Sequence, residues 1–386
     1  MSDNPIVAAN TVFGAKLLNQ FATTQPHTNI VFSPFSITLA LLLAHAGATG
    51  DTEQAIENTI GLGRISRERA ASEANSLIRL LAALDQHGAS SSGPFGAEEP
   101  TWLRIANAIF VNQQVDLRPA YSEIVREQFA ATVAALDFGS PTATATIDAW
   151  VSEQTRGKIR EIAGELNNDT AAVLLNAVYF KAAWANPFVD SATRNDTFTL
   201  ASGETIQVPM MANTERYGYR RESSFEVVAL PFRGGQLEML VVLPERASGI
   251  AALTRNFASP GAWQALDPRP ARVVLRMPRF RVECDLSLNE PLIALGMGVA
   301  FDNRADFSPM VQPPERLRIS EVRHKTFLDV NEKGVEAAAA TAIKMMRMSA
   351  MPERPIEVTI DRPFLCALRE RQSGTLLFIG SIARPF

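Results

Sequence analysis

NIVFSPFSITLALLLAHAGATGDT, which runs from Asn29 to Thr52, is the stretch of this sequence that says most about its fold. Serines at positions 33 and 36 stand just before a long apolar run, and either side chain can cap the first turn of a helix. The pattern therefore predicts a helix over Ser36–His45. The apolar run itself, Ile37–Ala46, is far too short to cross a bilayer.

The composition is that of a large folded protein without a strong charge bias. Of the 386 residues, 46% are hydrophobic, which is enough for a sizeable core, and 20% are charged, which argues against wholesale disorder. The net charge of −4 and the isoelectric point of about 5.8 favour neither nucleic acid nor an anionic membrane as a partner. We therefore expect no nucleic-acid partner and no membrane partner.

Cysteine usage and the N-terminal residues bear on redox state and location. Cys284 and Cys366 both lie in apolar, strand-like runs, so we expect two buried free thiols and no disulfide framework. Residues Met1–Pro5 have neither a basic start nor a long apolar run, so they do not resemble a secretory signal. We expect a cytoplasmic location, with an extracellular one as the alternative.

Helical patterns occupy the first part of the chain, and strand patterns dominate the rest. Apolar residues at helical spacing predict three helices, over Ala8–Phe21, Ser36–His45 and Ala70–Leu84. Strand-like runs follow at Ile105–Val111, Val173–Phe180, Val227–Pro231, Met239–Leu243, Val273–Leu275, Ile356–Ile360 and Leu376–Ile379. Helices first and strands later favour an α+β fold around large mixed or antiparallel sheets.

Two segments resemble the serpin family of serine protease inhibitors. Asn29–Thr52 is similar to the signature that opens with Asn-x-x-Phe-Ser-Pro-x-Ser and closes with Gly-Ala-x-Gly-x-Thr. Asn176–Phe188, NAVYFKAAWANPF, is similar to a second specific segment, with Ala182 where Gly is usual. Further blocks match in the right order at Ala106–Phe110, Ile147–Ile159, Leu230–Phe232, Val242–Pro244, Ala305–Ser308, His324–Thr326, Asp361–Phe364 and Gly380.

The resemblance implies a fold and a domain organisation. It implies the serpin fold, an α+β architecture with three β-sheets, about nine helices and an exposed reactive loop at about 332–354. The whole chain, residues 1–386, is then expected to form a single serpin domain and to be a monomer.

The stretch Glu332–Met351 reads EKGVEAAAATAIKMMRMSAM. Taken alone, its alanine run favours a short helix, because Ala is the best helix former. The resemblance implies instead the hinge of a loop that inserts into the main sheet as a new strand once a protease has cut it, a known case of strand addition that releases strain. The hinge residues are Glu332, Gly334, Val335, Glu336, Ala337, Ala338, Ala339, Ala340 and Thr341.

The composition of the hinge suits insertion as a strand. Alternate side chains of a strand point to opposite faces. One such set carries no charge, so its burial involves no unpaired ion; it consists of Val335, Ala337, Ala339, Thr341 and Ile343. Glu336 and Lys344 fall in the other set, where they can remain hydrated. We therefore expect the uncharged set to face the core.

The family spacing identifies the bond that is cut. In serpins the residue before this bond lies 16 positions after the hinge glutamate, which is Met348 here, with Ser349 after the cut. A protease pocket that accepts Met is apolar, so elastase-, chymotrypsin- or subtilisin-like targets are implied. Arg347, one position earlier, is the alternative, and it implies a trypsin-like target through a charge-assisted contact.

Four polar residues resemble the shutter region of serpins, beneath the centre of the main sheet where it parts. They are Ser33, Ser36, Asn176 and His324. Buried polar groups need partners, so we expect a mutual hydrogen-bond network. His324 also fits the simpler interpretation of a satisfied core histidine.

Three further residues resemble the breach region, where the loop first enters the sheet. Trp184 matches the tryptophan at the top of the sheet. In the family the hinge glutamate pairs with a basic residue after a proline, and Arg279 after Pro278 fits, so we predict a Glu332–Arg279 ion pair. An exposed pair contributes under about 1 kcal/mol, so its expected role is gating.

The sequence offers little to support catalysis. The chain has four histidines and two cysteines, and it contains no Gly-x-Ser-x-Gly elbow, HExxH motif, P-loop or Rossmann glycine pattern. We expect no enzyme activity, no catalytic residue, no metal and no cofactor. The expected partner is a serine protease in a covalent complex, with no glycosaminoglycan site. The alternative is a non-inhibitory serpin that acts as a carrier or chaperone, although the uncharged inward set favours inhibition.

Overall fold

The computed structural model describes residues 4–86, 92–93, 96–97, 101–164, 166–246, 249–259, 261–314, 316–335 and 354–385. It therefore includes the start of the predicted loop, Glu332–Val335, and its return from Arg354. Met348 and Ser349 of the predicted reactive bond, the alternative Arg347, and hinge residues 336–341 lie outside the described residues.

Eight α-helices occur in the described part of the chain. They are α1 (Pro5–Thr24), α2 (Pro34–Ala46), α3 (Gly50–Ile60), α4 (Arg67–Gln86), α5 (Pro119–Phe129), α6 (Ala143–Gln154), α7 (Gly249–Phe257) and α8 (Asn289–Leu292). Short 3-10 or π turns lie at Asp190–Ala192, Ile293–Met297 and Gly298–Phe301. The three predicted helices are confirmed as α1, α2 and α4. Helix α2 begins where the side chain of Ser33 accepts a hydrogen bond from the Ser36 amide at 3.2 Å.

Seventeen strands occur in the same residues. They are β1 (Ile30–Phe32), β2 (Ser92–Gly93), β3 (Gly96–Ala97), β4 (Trp102–Asn112), β5 (Thr132–Leu136), β6 (Ala172–Ala183), β7 (Arg194–Thr199), β8 (Thr205–Arg221), β9 (Phe225–Pro231), β10 (Leu237–Pro244), β11 (Arg269–Pro278), β12 (Phe280–Ser287), β13 (Glu321–Asn331), β14 (Gly334–Val335), β15 (Ile356–Thr359), β16 (Phe364–Glu370) and β17 (Leu376–Ile382). The seven predicted strand runs are confirmed as β4, β6, β9, β10, β11, β15 and β17, whereas β8 and β13 are among the strands that were not predicted.

The predicted loop begins in a six-stranded sheet of order β12-β13-β14-β6-β4-β5, in which β13 also pairs directly with β6. One face of this sheet packs on the main core, to which α1 and α2 contribute. The other face carries a smaller core, which includes Ile147 and Val151 of α6. The sheet is thus covered on both sides at its centre.

The larger sheet has nine strands, in the order β1-β17-β16-β10-β9-β8-β11-β15, with β7 paired to β8. A hairpin of β2 and β3 forms the third sheet of the described residues. Helices and mixed sheets together confirm the expected α+β class. Cys284 and Cys366 are both buried and free. None of the described helices has the length and apolar character needed to cross a membrane.

Candidate functional site

Strands β6 and β13 are bonded to each other at one end and held apart at the other. Over Val173–Tyr179 and Glu321–Phe327 they pair directly and in parallel. Beyond this region Gly334 and Val335 of β14 lie between them and pair antiparallel with both. The chain therefore occupies a strand position inside the sheet for two residues, at the point where the predicted loop begins.

Position 334 requires glycine. Gly334 has a φ of 155°, and a Cβ atom built there would lie 2.1 Å from the carbonyl oxygen of Ala182. Side chains rarely adopt this backbone angle, and the contact is far inside van der Waals distance. Any larger residue must therefore displace β14 or β6.

The first inward-facing residue of the hinge is already in the core. Val335 is fully buried, and its register partners are Val330 of β13 and Ala182 of β6. Register partners share a face of the sheet, so the methyl group of Ala182 lies on the same side as Val335. The departure from the family glycine at position 182 is thus accommodated.

Glu332 is held by two side chains. Its carboxylate pairs with the guanidinium of Arg279, as predicted, and accepts a hydrogen bond from Thr193 Oγ1 at 2.7 Å. Burial raises the pKa of Glu332, but the hydrogen bonds from Arg279 and Thr193 outweigh it, so the pKa lies below its usual value. Thr193 was not predicted, because it lies far away in the sequence.

Trp184 fixes the turn between β13 and β14. Its backbone N–H donates to Lys333 O at 2.9 Å, and its indole Nε1–H donates to Asn331 O at 2.9 Å. The ring is stacked on Phe232, with 4.5 Å between centroids. The structure therefore places Trp184 beside Glu332 at the entry of β14, where the breach residues were predicted.

A buried polar cluster lies at the centre of the directly paired region. Asn176 of β6 and His324 of β13 are register partners, and the Asn176 side-chain oxygen bonds His324 Nδ1. The Asn176 amide donates to Ser36 Oγ, and the Ser33 N–H donates to His324 Nε2 at 2.9 Å. All four residues predicted for the shutter region are fully buried and lie together.

The hydrogen bonds determine the tautomer of His324, and burial determines its charge. Because Nε2 accepts from the Ser33 N–H, the proton of the neutral ring lies on Nδ1 and is donated to Asn176. Burial lowers the pKa of His324 to about 3. At neutral pH His324 is therefore an uncharged core histidine with both ring nitrogens engaged.

Asn107 of β4 completes the cluster and was not predicted. It is the register partner of Asn176, and its side-chain oxygen accepts the second amide hydrogen of Asn176. Its sequence signal was a polar residue inside the apolar run Ile105–Val111. Only the pairing of β4 with β6 reveals its partner.

The described residues contain a His–carboxylate cluster with metal-ligand chemistry away from this site. It consists of His45, Glu53 and Glu57, whose ligand atoms lie within 4.8 Å of one another. His45 Nε2 is 3.0 Å from Glu57 Oε1, and Arg67 Nη2 is 2.6 Å from Glu53 Oε1. Because Arg67 already supplies a cation at Glu53, we assign no metal to this cluster.

Comparison with known proteins gives a consistent family. The family model described as "Serpin (serine protease inhibitor)" matches residues 8–385. The relative Serpin-Z2A of Triticum aestivum is 35% identical over 98% of this chain and 96% of its own length. The Leukocyte elastase inhibitor of Bos taurus is 33% identical over 98% of this chain and 99% of its own length.

A solved structure extends the comparison to the fold. Human thyroxine-binding globulin complexed with thyroxine superimposes with a TM-score of 0.82 at 26% identity, over 98% of each chain. Proteins with this architecture therefore include one that binds thyroxine.

Proposed function

The chain belongs to the serpin family, and we propose that it inhibits serine proteases as a suicide substrate. The protease cuts the loop, the loop inserts between β6 and β13, and the covalent acyl-enzyme is trapped before it hydrolyses. The observation that carries the proposal is β14, which already lies between these two strands and points into the line where they are directly paired.

The register of β14 predicts where each inserted residue would lie. Continued one residue at a time, it sets Ala337 opposite Leu328 and Phe180, Ala339 opposite Thr326 and Val178, Thr341 opposite His324 and Asn176, and Ile343 opposite Val322 and Leu174. Each of these partners is buried. The uncharged set of the hinge thus matches the face of the sheet that packs on the main core. This agreement favours an inhibitory serpin.

Thr341 reaches the polar cluster in this register. Insertion separates Asn176 from His324 and breaks the hydrogen bond between them. A buried donor or acceptor left without a partner costs about 1–3 kcal/mol. The Thr341 hydroxyl both donates and accepts, so it can satisfy the two separated side chains.

Insertion also gives a favourable balance of backbone hydrogen bonds. Residues 336–345 reach the row of Ala172, the first residue of β6, in the same register. The inserted strand would form backbone hydrogen bonds along both of its edges, one row with β6 and one row with β13. These two rows replace the single row of hydrogen bonds that now joins β6 to β13. The net gain is on the order of one bond per residue, or on the order of 10 kcal/mol in all. This is comparable to the whole stability of an ordinary domain.

We place the cleaved bond at Met348–Ser349 and infer a protease with an apolar pocket. The name of the bovine relative, Leukocyte elastase inhibitor, agrees with such a target for that protein. Cleavage after Arg347 by a trypsin-like protease is the second candidate. A carrier function is the third, and the similarity to thyroxine-binding globulin favours it.

Mixing the protein with elastase-, chymotrypsin-, subtilisin- and trypsin-like proteases tests all three. We expect a covalent complex that survives denaturing electrophoresis. We also expect the C-terminal peptide released on denaturation to have the mass of a fragment that starts at Ser349. A peptide that begins at Met348 would instead assign the bond to Arg347. Cleaved chain together with free protease in every mixture would refute inhibition and favour the carrier function.

A further inference from the structure

Two arginines face each other across neighbouring strands of the nine-stranded sheet. Arg216 of β8 and Arg272 of β11 are register partners, so both side chains leave the same face of the sheet. The residues that follow them, Tyr217 and Val273, are buried, so the arginines point outward. Arg216 is exposed, and Arg272 is half-buried.

Neither guanidinium of this pair forms an ion pair with a residue that the structure describes. Neighbouring arginines are neutralised: Arg220 lies 2.5 Å from Glu222, and Arg276 lies 3.9 Å from Asp196. The acidic residue on the adjacent outward row is Glu357 of β15, which forms no ion pair with either guanidinium. Like charges placed directly opposite destabilise a sheet, so the pair is unfavourable in the isolated protein.

The pair lies beside the point where the loop rejoins the fold. Strand β15 starts at Ile356 and pairs in parallel with β11 from Val273, so Pro355 comes level with Arg272. Ser349 precedes Ile356 by seven residues, a span of at most about 25 Å. A compact domain of about 200 residues has a radius of gyration of about 16 Å and a diameter of roughly 40 Å. A protease bound at Met348–Ser349 would therefore lie within reach of Arg272 and Arg216.

We propose that Arg216 and Arg272 bind an acidic patch beside the cleft of the target protease, as a second contact beyond the loop. The inference rests on the proposed function and names the surface chemistry of the partner. Charges at the rim of an interface act mainly on the association rate and its salt dependence. A free polyanion fits less well. An extended anion binds through many cations spread along a groove, whereas Arg216 and Arg272 supply two.

The experiment compares the wild-type protein with the double variant Arg216→Glu, Arg272→Glu. The association rate constant is measured from low to high salt against two apolar-pocket serine proteases, one with an acidic and one with a basic rim around the cleft. For the acidic protease we expect the rate at low salt to fall at least tenfold, and its salt dependence to disappear or reverse. For the basic protease the rate should rise.

Arg64→Glu, compared with Arg272→Glu alone, is the control with the same change of net charge, because Arg64 is an exposed arginine between α3 and α4, outside the sheet that carries β15. It should leave both rates unchanged. Equal rates for the wild type and the double variant would overturn the proposal, as would an equal fall with Arg64→Glu. A heparin-accelerated wild-type reaction, with no difference between the proteins in its absence, would overturn it in favour of a polyanion site.

The failure of this inference is distinguishable from that of the proposed function. If the double variant still forms the denaturation-resistant complex at unchanged stoichiometry, inhibition itself is intact and only the accessory contact is tested. If the wild type forms no such complex, the proposed function fails first. Should the double variant not fold, Arg272→Gln alone removes one charge, and a smaller fall in rate is expected.

Discussion

The two ends of the line between β6 and β13 are built differently. Around Glu332 the strands are already separated by β14, and the polar contacts reach solvent, because the Arg279 side chain is 44% exposed. Around His324 the strands are directly bonded, and the polar cluster is fully buried. In the proposed mechanism the open end would let a strand start entering the sheet, whereas the closed centre would resist until its hydrogen bonds are replaced. The proposal therefore assigns entry and control to separate places.

The largest expected effect comes from a charge on the inward face of the inserting strand. In the register of β14, Ala339 would lie opposite Thr326 and Val178, both buried. Ala339→Arg should block insertion, because a buried unpaired charge costs several kcal/mol. The variant should be cleaved as a substrate, and the number of inhibitor molecules consumed per protease should rise at least tenfold.

Glu336→Arg is the control for this substitution. It introduces the same side chain into the same segment, but on the opposite face, between Asp329 and Lys181 in the continued register, both of which are partly exposed. Trapping should persist in this variant. If Ala339→Arg also traps the protease at normal stoichiometry, the assignment of faces is wrong.

The closed centre is tested next, through His324. His324→Leu keeps the volume but removes the partners of the Ser33 N–H and of Asn176. Two buried groups without partners should lower the stability by about 2–4 kcal/mol, measured as a fall in the unfolding midpoint. His27→Leu, at an exposed histidine, should leave the midpoint almost unchanged.

The pH dependence of this effect has a defined sign. The pKa of His324 falls from 6.5 to about 3 on folding. Between these two pH values the imidazole is therefore protonated in the unfolded chain and neutral in the folded chain. The stabilisation is complete above about pH 6.5 and is lost towards pH 3, by up to about 1.4 kcal/mol per pH unit. The difference between the wild type and His324→Leu should therefore shrink between pH 7 and pH 4.5. Parallel stability curves would contradict this account.

A smaller effect is expected at the open end, at Gly334. Gly334→Ala adds a Cβ atom that meets Ala182 O, so β14 should be displaced and stability should fall by about 1–3 kcal/mol. Gly61 also has a positive φ, of 76°, and a Cβ atom built there meets nothing within 4 Å, so Gly61→Ala reports the cost of a left-handed residue without a steric contact. Equal losses for the two variants would show that the contact with β6 contributes nothing. Faster cleavage of the inhibitor without trapping of the protease is expected only for Gly334→Ala.

Local patterns in the sequence predicted much of this arrangement. Alternation along the hinge separated charged from uncharged residues. Val335, the first residue of the uncharged set, is fully buried, as expected for the side of the sheet that faces the core. The Glu332–Arg279 pair was implied by the resemblance to the serpin family, and the structure contains it. These features depend on residues close together in the chain or on family blocks of fixed spacing.

The contacts that could not be predicted from the sequence depend on strand register. Asn107 meets Asn176, and Arg216 meets Arg272, only because distant strands pair in one register out of several. Thr193 meets Glu332 for a similar reason, through a turn 139 residues away. Cross-strand partners of this kind have no period or motif in the chain, so periodicity alone could not identify them.

The smallest effect is expected at the ion pair of the open end. Arg279→Gln leaves the carboxylate of Glu332 with Thr193 as its remaining described side-chain partner. The expected loss is about 1 kcal/mol: the Glu332 carboxylate is only 5% exposed but keeps Thr193, and water can replace the guanidinium because the Arg279 side chain is 44% exposed. Its main consequence should be kinetic: activity during incubation at moderate temperature should decay a few-fold faster, because β14 is less firmly anchored.

Arg279→Lys, which keeps the charge, should decay at nearly the wild-type rate, and Glu332→Gln should resemble Arg279→Gln at pH 7. The pKa of Glu332 is lowered in the folded protein, so its contribution is present above the usual value of 4.5 and is lost as pH falls through the folded pKa. The wild type and Glu332→Gln should therefore converge in acid. If Arg279→Gln decayed faster than His324→Leu, control would lie at the open end, and the assignment of entry and control to separate places would have to be reversed.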